Sequence, residues 1–244
     1  MRASVITVPA FASAREGVRH FFGTKDDGGS RPLSVGMPTR TAMGRTKNWL
    51  LSVRQVHGTD VLVVDHPIGE SDRFEEGWDA LITNQPGLTV AVRTADCVPV
   101  LVYDRRKRAV AAIHAGWRGA VSGILPKTLD RLSNHFQIER GDLRVSIGPS
   151  AGPCCYEVDD AVLNPLRSTF SGWEQVVRND MGKKTHFDLK AFVRMQLYHY
   201  GIEHHHVTSV NLCTICHEEL FYSYRREGRV NGTMLSGISL IAQA

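Results

Sequence analysis

The chain has 244 residues, of which 42% are hydrophobic and 22% charged, and its formal net charge is +4 at pH 7. These values are ordinary for a soluble globular protein and predict one domain spanning residues 1–244. No apolar stretch approaches the roughly 20 residues of a membrane helix, and no dense basic tract indicates a nucleic-acid partner. The first twenty residues do not resemble a secretory signal, and an odd number of cysteines argues against a disulfide framework. We therefore expect a cytoplasmic protein, either a monomer or a weak homo-oligomer, without membrane or nucleic-acid partners.

The amino-terminal part of the chain is predicted to contain a long loop followed by a hairpin. Residues 21–38 are rich in Gly, Asp, Ser and Pro, and within this loop Lys25 offers a charge to an anionic ligand. Two apolar runs, 50–56 and 61–64, predict a hairpin with His57 at its tip.

The remaining strands and helices alternate without a strict βαβ rhythm. Asp96 and Cys97 interrupt two apolar runs, and His114 directly follows a third. Pro126 must lie near the start of its helix or produce a kink, and Asp159, Asp160 and Asp188 are plausible helix caps. We predict an α/β (α+β) fold of mixed sheets covered by helices, with strands at 80–83, 88–93, 98–103, 109–113, 143–147, 207–211 and 238–241 and helices at 121–136, 159–170 and 188–201.

Three residues, His57, Cys97 and His114, share one property, because each lies where an apolar run meets a turn. Imidazole and thiolate are ligands that zinc favours, and catalytic zinc sites use three protein ligands and leave one position open. The spacings are long, so unrelated buried residues remain an alternative. A second alternative makes Cys97 a nucleophile with His114 as its base. Asp96 is placed either to orient a ligand histidine or move a proton, or to cap its own turn.

Two further motifs leave their function open. Residues 213–217 read Cys-Thr-Ile-Cys-His, which matches the signature for covalent haem attachment, although the chain shows no export signal. As a zinc knuckle this motif lacks a second close pair of cysteines, and structural cysteines are the simplest reading. Tyr224 and Arg225 combine an aromatic ring with a guanidinium group, which suits a nucleobase and a phosphate. Arg118 follows a glycine turn that leads into a helix, where anions also bind.

Taken together, several segments resemble the YfiH or laccase-domain family, historically described as multicopper polyphenol oxidases. The segments occur in the family order and cover most of the chain after residue 49, namely 54–59, 79–83, 94–100, 114–119, 147–150, 154–158 and 223–226. The resemblance implies a single-domain α/β fold with mixed sheets between helices. It also implies a metal site built from His57, Cys97 and His114.

The resemblance further implies zinc-dependent enzymes of purine nucleosides. Such proteins cleave adenosine, inosine, guanosine or methylthioadenosine with phosphate as co-substrate, and they also deaminate adenosine. This chain departs from the family pattern in its amino-terminal loop, at 25–29 and 32–36, and in its tail, where Thr233 replaces the arginine of a Gly-Arg-Met element.

The leading hypothesis is a zinc-dependent purine nucleoside phosphorylase with adenosine deaminase activity. In it His57, Cys97, His114 and Asp96 are catalytic, and substrate or phosphate is held by Arg118, Tyr224, Arg225 and Lys25. One alternative is a metal-free Cys-His amide hydrolase that edits peptidoglycan precursors. Another is a copper-dependent polyphenol oxidase, which ranks lower because multicopper centres need more histidines than this set offers. A non-catalytic metal-binding module ranks last.

Overall fold

The computed structural model describes residues 5–12, 17–27, 37–39, 48–69, 71–179 and 184–242. Two six-stranded sheets and one small three-stranded sheet form its framework. The strand order of the first sheet is β1 (Val5–Ile6), β2 (Val18–Gly23), β15 (Met234–Leu240), β7 (Leu88–Thr94), β4 (Asn48–Leu51) and β3 (Met37–Thr39). The order of the second is β14 (Val207–Ser209), β10 (Leu143–Ile147), β8 (Val98–Asp104), β9 (Ala109–Ala115), β6 (Ala80–Thr83) and β5 (Val61–Val64). The small sheet has the order β11 (Glu157–Val158), β13 (Thr185–Phe187) and β12 (Val177–Arg178).

Helices lie outside the sheets and connect their strands. The described part of the chain contains α1 (Pro9–Ala12), α2 (Trp117–Val121), α3 (Ile124–Phe136), α4 (Asp160–Thr169), α5 (Leu189–Tyr200) and α6 (Tyr224–Glu227). Both large sheets contain parallel and antiparallel pairs, for example β4 parallel to β7 and β8 antiparallel to β9. The predicted α/β class with mixed sheets is therefore confirmed. None of the described helices combines the length and the apolar character needed to cross a bilayer.

The two large sheets pack face to face, and helices cover the outer face of the second sheet. Along β9, Val110 and Ala112 join the core between the sheets, whereas Ala111 and Ile113 join the core beneath the helices. Alternate residues of a strand point to opposite faces, so a strand buried on both faces must be apolar at every position. This explains the uninterrupted apolar run that predicts β9. Leu129 of α3 and neighbouring helical side chains complete the core beneath the helices.

The predicted hairpin around His57 is wrong. The run that begins at residue 50 contributes to β4 in the first sheet, where it pairs in parallel with β7, and the run at 61–64 forms β5 in the second sheet, parallel to β6. An apolar run identifies a strand but not its partner, since the same side-chain pattern suits either sheet. His57 therefore lies on a segment that crosses between the two sheets at one end of the fold.

Two predicted boundaries are also corrected. The predicted loop begins too early, because residues 21–23 complete β2, with Phe22 buried between the sheets. Residues 28–36 of the predicted loop lie outside the described residues. The helix predicted at 121–136 is divided, since Gly123 adopts a left-handed φ of 87° between α2 and α3. Pro126 falls in the first turn of α3, where its missing N–H is not needed. The helices capped by Asp159 and Asp188 begin where predicted.

Candidate metal centre and substrate cavity

The pairing of β6 with β9 places a carboxylate beside His114. Ala80 faces Ile113 in this antiparallel pair, so the preceding Asp79 and the following His114 are neighbours at the end of the sheet. The Nδ1 atom of His114 lies 2.7 Å from the Asp79 Oδ1 atom, and both side chains are buried. Because Nδ1 is engaged, Nε2 is the nitrogen left for a metal, an arrangement in which a carboxylate fixes both the tautomer and the ring orientation.

The same carboxylate holds the segment that carries His57. Asp79 accepts backbone hydrogen bonds from Val56, His57 and Gly58 at 3.2, 2.9 and 2.6 Å. These bonds support a left-handed backbone at His57, whose φ is 60°, a conformation that costs energy for residues other than glycine. Although burial disfavours its charge, hydrogen bonds from His114 and from the backbone keep the pKa of Asp79 below its usual value. One buried carboxylate thus positions both histidines.

Cys97 completes the cluster from the turn between β7 and β8. Its Sγ atom lies 3.9 Å from Nε2 of His57, and the ligand atoms of His57, Cys97 and His114 all lie within 4.8 Å of one another. A glycine makes this approach possible, because a Cβ atom on Gly116 would lie 2.9 Å from the His57 ring and 3.1 Å from the Cys97 sulfur. The structure therefore brings together the three residues that the sequence places far apart.

Cys97 and His114 each shift the pKa of the other toward the ionised form. Burial opposes ionisation of Cys97, but the charge of His114 and hydrogen bonds from both histidines lower the pKa of its thiol to about 6. Burial likewise opposes a charge on His114, but Cys97 and Asp79 raise its pKa to about 9. A metal that binds here at neutral pH must displace the proton from His114.

This donor set fits a transition metal. With bonds of about 2.1 Å to nitrogen and 2.3 Å to sulfur, a tetrahedral ion separates two such ligands by about 3.6 Å, close to the 3.9 Å between Cys97 and His57. Two imidazoles and one thiolate leave a fourth position open. The triad also lines a cavity of about 610 Å³, so a small molecule in this cavity can reach the ion.

Asp96 contacts different groups from those of Asp79. Its carboxylate accepts hydrogen bonds from the hydroxyls of Thr214 and Ser223 at 2.6 and 2.9 Å and from the backbone of Arg225 at 2.7 Å. Its φ of 90° also lies in the left-handed region. Among the described residues, the carboxylate that orients a histidine of the triad is that of Asp79, which the prediction did not assign to the site. Its position directly before a buried strand, like that of Cys97, was the available signal.

The cavity contains three of the four residues predicted to bind substrate or phosphate. Arg118, Tyr224 and Arg225 line it, as does Asp96, together with residues not singled out for this role that include Arg54, Arg93, Trp117, Tyr156, Val230 and Thr233. Lys25 is not among the lining residues, and its ammonium group lies 5.1 Å from the ring centroid of Tyr222. Four arginines thus line the cavity into which the triad opens.

Two of these arginines are held against aromatic rings. The guanidinium of Arg118 stacks on Trp117 at 4.5 Å, and that of Arg225 lies 5.1 Å from the Tyr156 ring centroid and donates to the carbonyl of Glu157 at 2.9 Å. Arg93, which also lines the cavity, lies 3.4 Å from the hydroxyl of Thr233, the residue at which this chain departs from the family pattern. Arginines held in this way present their remaining N–H donors to an anion with little loss of side-chain freedom.

The protein has a layered α/β fold, in which two mixed sheets pack face to face and helices cover one side. Its candidate metal centre offers three ligands and opens into an arginine-lined cavity. The chain belongs to the family described as multi-copper polyphenol oxidoreductase laccase, whose model matches residues 37–241. The resemblance inferred from the sequence is thereby confirmed.

Relatives of the chain are named as enzymes of purine nucleosides. A purine nucleoside phosphorylase from Bacteroides thetaiotaomicron is 38% identical over 192 residues, which span 76% of this chain and 71% of that protein. An adenosine deaminase from an unknown prokaryotic organism is 32% identical over 219 residues, or 87% of this chain and 83% of the relative. The crystal structure of YlmD from Geobacillus stearothermophilus superposes with a TM-score of 0.79 at 31% identity, covering 96% of this chain and 94% of that one.

Proposed function

We propose that this protein is a zinc-dependent purine nucleoside phosphorylase that also deaminates adenosine. The observation that carries the proposal is the convergence of His57, Cys97 and His114 at the wall of a cavity of about 610 Å³ that is lined by arginines and aromatic rings. A nucleoside needs an aromatic surface and phosphate needs guanidinium groups, and the cavity offers both beside the triad. The names of the relatives support the same substrates.

The three ligands favour zinc as the resident ion. When bound, zinc supplies Lewis acidity at the open side of the triad. Asp79 accepts the hydrogen bond from Nδ1 of His114 and so keeps Nε2 free to ligate. The multicopper alternative has less support, since such chemistry uses histidine-rich clusters and only two histidines meet at this site among the described residues.

The arginines supply the anion-binding part of the proposal. In phosphorolysis a phosphate oxygen forms a bond to C1′ of the ribose while the glycosidic C–N bond breaks, and the purine leaves with that electron pair and takes up a proton. Arg118 and Arg225 hold the phosphate against the sugar, because both line the cavity and keep N–H donors free beyond their aromatic contacts. Binding of phosphate by Lys25 stays a prediction without support from the cavity.

Aromatic side chains supply the surface for the base. Tyr224 lines the cavity and is 55% exposed, so its ring is free to stack on a purine. Burial, together with the charge of Cys97, raises the pKa of Tyr156 to about 12. The Tyr156 phenol therefore stays protonated at neutral pH and can donate a hydrogen bond to the leaving purine.

One observation favours a second candidate, the Cys-His amide hydrolase. The thiol of Cys97, with its pKa lowered to about 6, is ionised at neutral pH beside a charged His114, as in a cysteine nucleophile and its base. This candidate needs no metal, whereas the leading proposal does. The two are therefore separated by the metal dependence of the activity.

The test measures metal content and products in the same preparation. Untagged protein is incubated with adenosine, with and without phosphate, after its metal has been quantified. We expect ribose 1-phosphate only with phosphate, inosine in both cases, and loss of both products in Cys97→Ala. Arg118→Ala should lose ribose 1-phosphate and keep inosine formation. Full activity in a metal-free preparation, or amide hydrolysis without any nucleoside turnover, overturns the proposal.

A cytoplasmic setting belongs to the same proposal. All five cysteines are free, and unpaired thiols suit a reducing compartment.

A further inference from the structure

A second group of metal-ligating side chains lies outside the cavity. Cys154 and Cys155 follow β10, and Cys213 and Cys216 follow β14, yet their sulfur atoms all lie within 4.8 Å of one another. The sulfur of Cys216 lies 3.5 Å from that of Cys154 and 3.3 Å from that of Cys155. The chain contains five cysteines, so every cysteine except Cys97 belongs to this cluster.

We propose that Cys154, Cys155, Cys213 and Cys216 bind one zinc ion in a closed, structural site that is separate from the His57, Cys97 and His114 centre. Structural zinc sites are tetrahedral and use four protein ligands, commonly four thiolates. Zn–S bonds of about 2.3 Å separate the sulfurs of such a site by about 3.8 Å. The observed S···S distances of 3.3 and 3.5 Å therefore need to change by only a few tenths of an ångström.

The backbone around Cys213 has the form of a zinc knuckle. Cys213 and Cys216 are spaced as C-x2-C, and the turn closes with a hydrogen bond from the His217 N–H to the Cys213 carbonyl at 3.1 Å. The Gly152 N–H points at the sulfur of Cys213 at 3.2 Å, and the backbone of Cys216 also donates to it. The second close pair of cysteines, which the sequence motif lacks, is supplied by the adjacent residues Cys154 and Cys155.

The surroundings hold the four sulfurs together and place one positive charge near them. The Thr214 N–H donates to the Ser150 carbonyl at 3.0 Å, which ties the two cysteine-bearing loops to each other. A Cβ atom on Gly152 would lie 3.3 Å from the sulfurs of both Cys154 and Cys213, so a larger residue would crowd the cluster. Four thiolates and Zn²⁺ carry a net charge of −2, and the buried ammonium of Lys190 lies behind the second loop, bonded to the Val210 carbonyl at 2.7 Å.

Such a site has a structural consequence for the first metal centre. The loop of Cys154 donates the Ala151 N–H to the Asp96 carbonyl at 2.9 Å, and the loop of Cys213 donates the Thr214 hydroxyl to the Asp96 carboxylate at 2.6 Å. Asp96 directly precedes Cys97. A zinc ion that joins the two loops therefore stiffens the turn that presents Cys97, and Asp96 acts as a positioning residue.

The decisive measurement is the metal content of Cys97→Ala, because this variant lacks a ligand of the first centre and its result does not depend on the proposed function. After reconstitution with zinc under reducing conditions, we expect two zinc ions per wild-type chain, one in Cys97→Ala and one in Cys213→Ser/Cys216→Ser. All three substitutions together should leave none. The proposal is overturned if Cys97→Ala binds no zinc. It is also overturned if the four cysteines hold iron with inorganic sulfide, or form a disulfide, instead of binding zinc.

A second readout uses Cys154→Ser, which changes an exposed thiol and serves if the double variant does not fold. With Co²⁺ in both sites, the sulfur-to-cobalt charge-transfer band arises from five thiolates, four of which belong to the cluster. Cys97→Ala should lose about one fifth of the band and Cys154→Ser a similar fraction. A band that disappears entirely in Cys97→Ala shows that the cluster holds no ion and refutes the proposal.

Discussion

Asp79→Asn tests whether one carboxylate organises the first metal centre. The carboxylate accepts four hydrogen bonds, three from backbone N–H groups and one from the ring of His114. An asparagine keeps one acceptor oxygen and turns an NH₂ group toward the remaining donors, so at least two bonds are lost. Each bond to a buried charge contributes about 1.5 kcal/mol or more, and we expect the free energy of unfolding to fall by about 3 kcal/mol. The amide also favours the tautomer of His114 that is protonated on Nε2, the nitrogen needed by the metal. Zinc affinity at this centre should therefore fall about 10- to 100-fold.

Two measurements on the same preparation check this prediction. Zinc affinity at the first centre is obtained by competition with a chromophoric chelator in the Cys213→Ser/Cys216→Ser background, and stability by urea unfolding of the metal-free protein. Asp104→Asn is the matched control, because Asp104 is equally buried but lies at the other end of β8, away from the site. We expect the control to bind zinc like the wild type. If Asp79→Asn binds zinc within threefold of the wild-type affinity, the inference that this carboxylate sets the ligand geometry is refuted.

Three further predictions concern packing and protonation. Gly116→Ala should abolish tight zinc binding at the centre of His57, Cys97 and His114, because its Cβ atom would lie 2.9 Å from His57. In Gly141→Ala the added Cβ meets no atom within 4 Å, so zinc should bind normally at that centre; equal affinities of the two variants would contradict this packing argument. In Cys213→Ser/Cys216→Ser, which keeps only the first centre, zinc affinity should rise as the pH rises toward the pKa of about 9 of His114 and then level off, because the bound proton competes with the metal. Calorimetry of this variant in two buffers should show about one proton released near pH 7.5, and no release would contradict the raised pKa. The Nε2 atom of His20 accepts a hydrogen bond from the Val8 N–H at 2.8 Å, and burial lowers the pKa of His20 from 6.5 in the unfolded chain to about 4. The free energy of unfolding should therefore decrease by up to about 3 kcal/mol as the pH falls from 6.5 toward 4. Urea unfolding at pH 7 and 4.5 should show a smaller loss in His20→Gln, and equal losses would assign the pH dependence to other groups.

The central strands of the second sheet were predictable because both of their faces are buried. Val98–Asp104 and Ala109–Ala115 contain apolar residues on both faces, so their composition alone identifies them and places Cys97 and His114 at their ends. Residues at the ends of neighbouring strands converge on one edge of a sheet. For this reason the grouping of Cys97 with His114 was accessible from the strand ends, whereas the complete triad with His57 was what the family resemblance implied.

The pairing of strands was not predictable from the same signal. The contact between Asp79 and His114 follows from the register of β6 against β9, which an apolar pattern does not encode. The hairpin prediction failed at His57 for the same reason, since two correct apolar runs joined different sheets. The pair Cys154 and Cys155 meets Cys213 and Cys216 only because β10 and β14 are adjacent and parallel, although they are far apart in the chain.

Cys97 is held from two sides, and this arrangement links the two candidate metal sites. On one side the thiol meets His57 and His114, which are both fixed by Asp79. On the other side its backbone continues from Asp96, which is bonded to both loops of the four-cysteine cluster. An open centre needs its ligands held in place while substrate and product exchange at the free position. A closed site that ties together the loops behind Cys97 meets this need, because its ion fixes the turn without occupying the cavity.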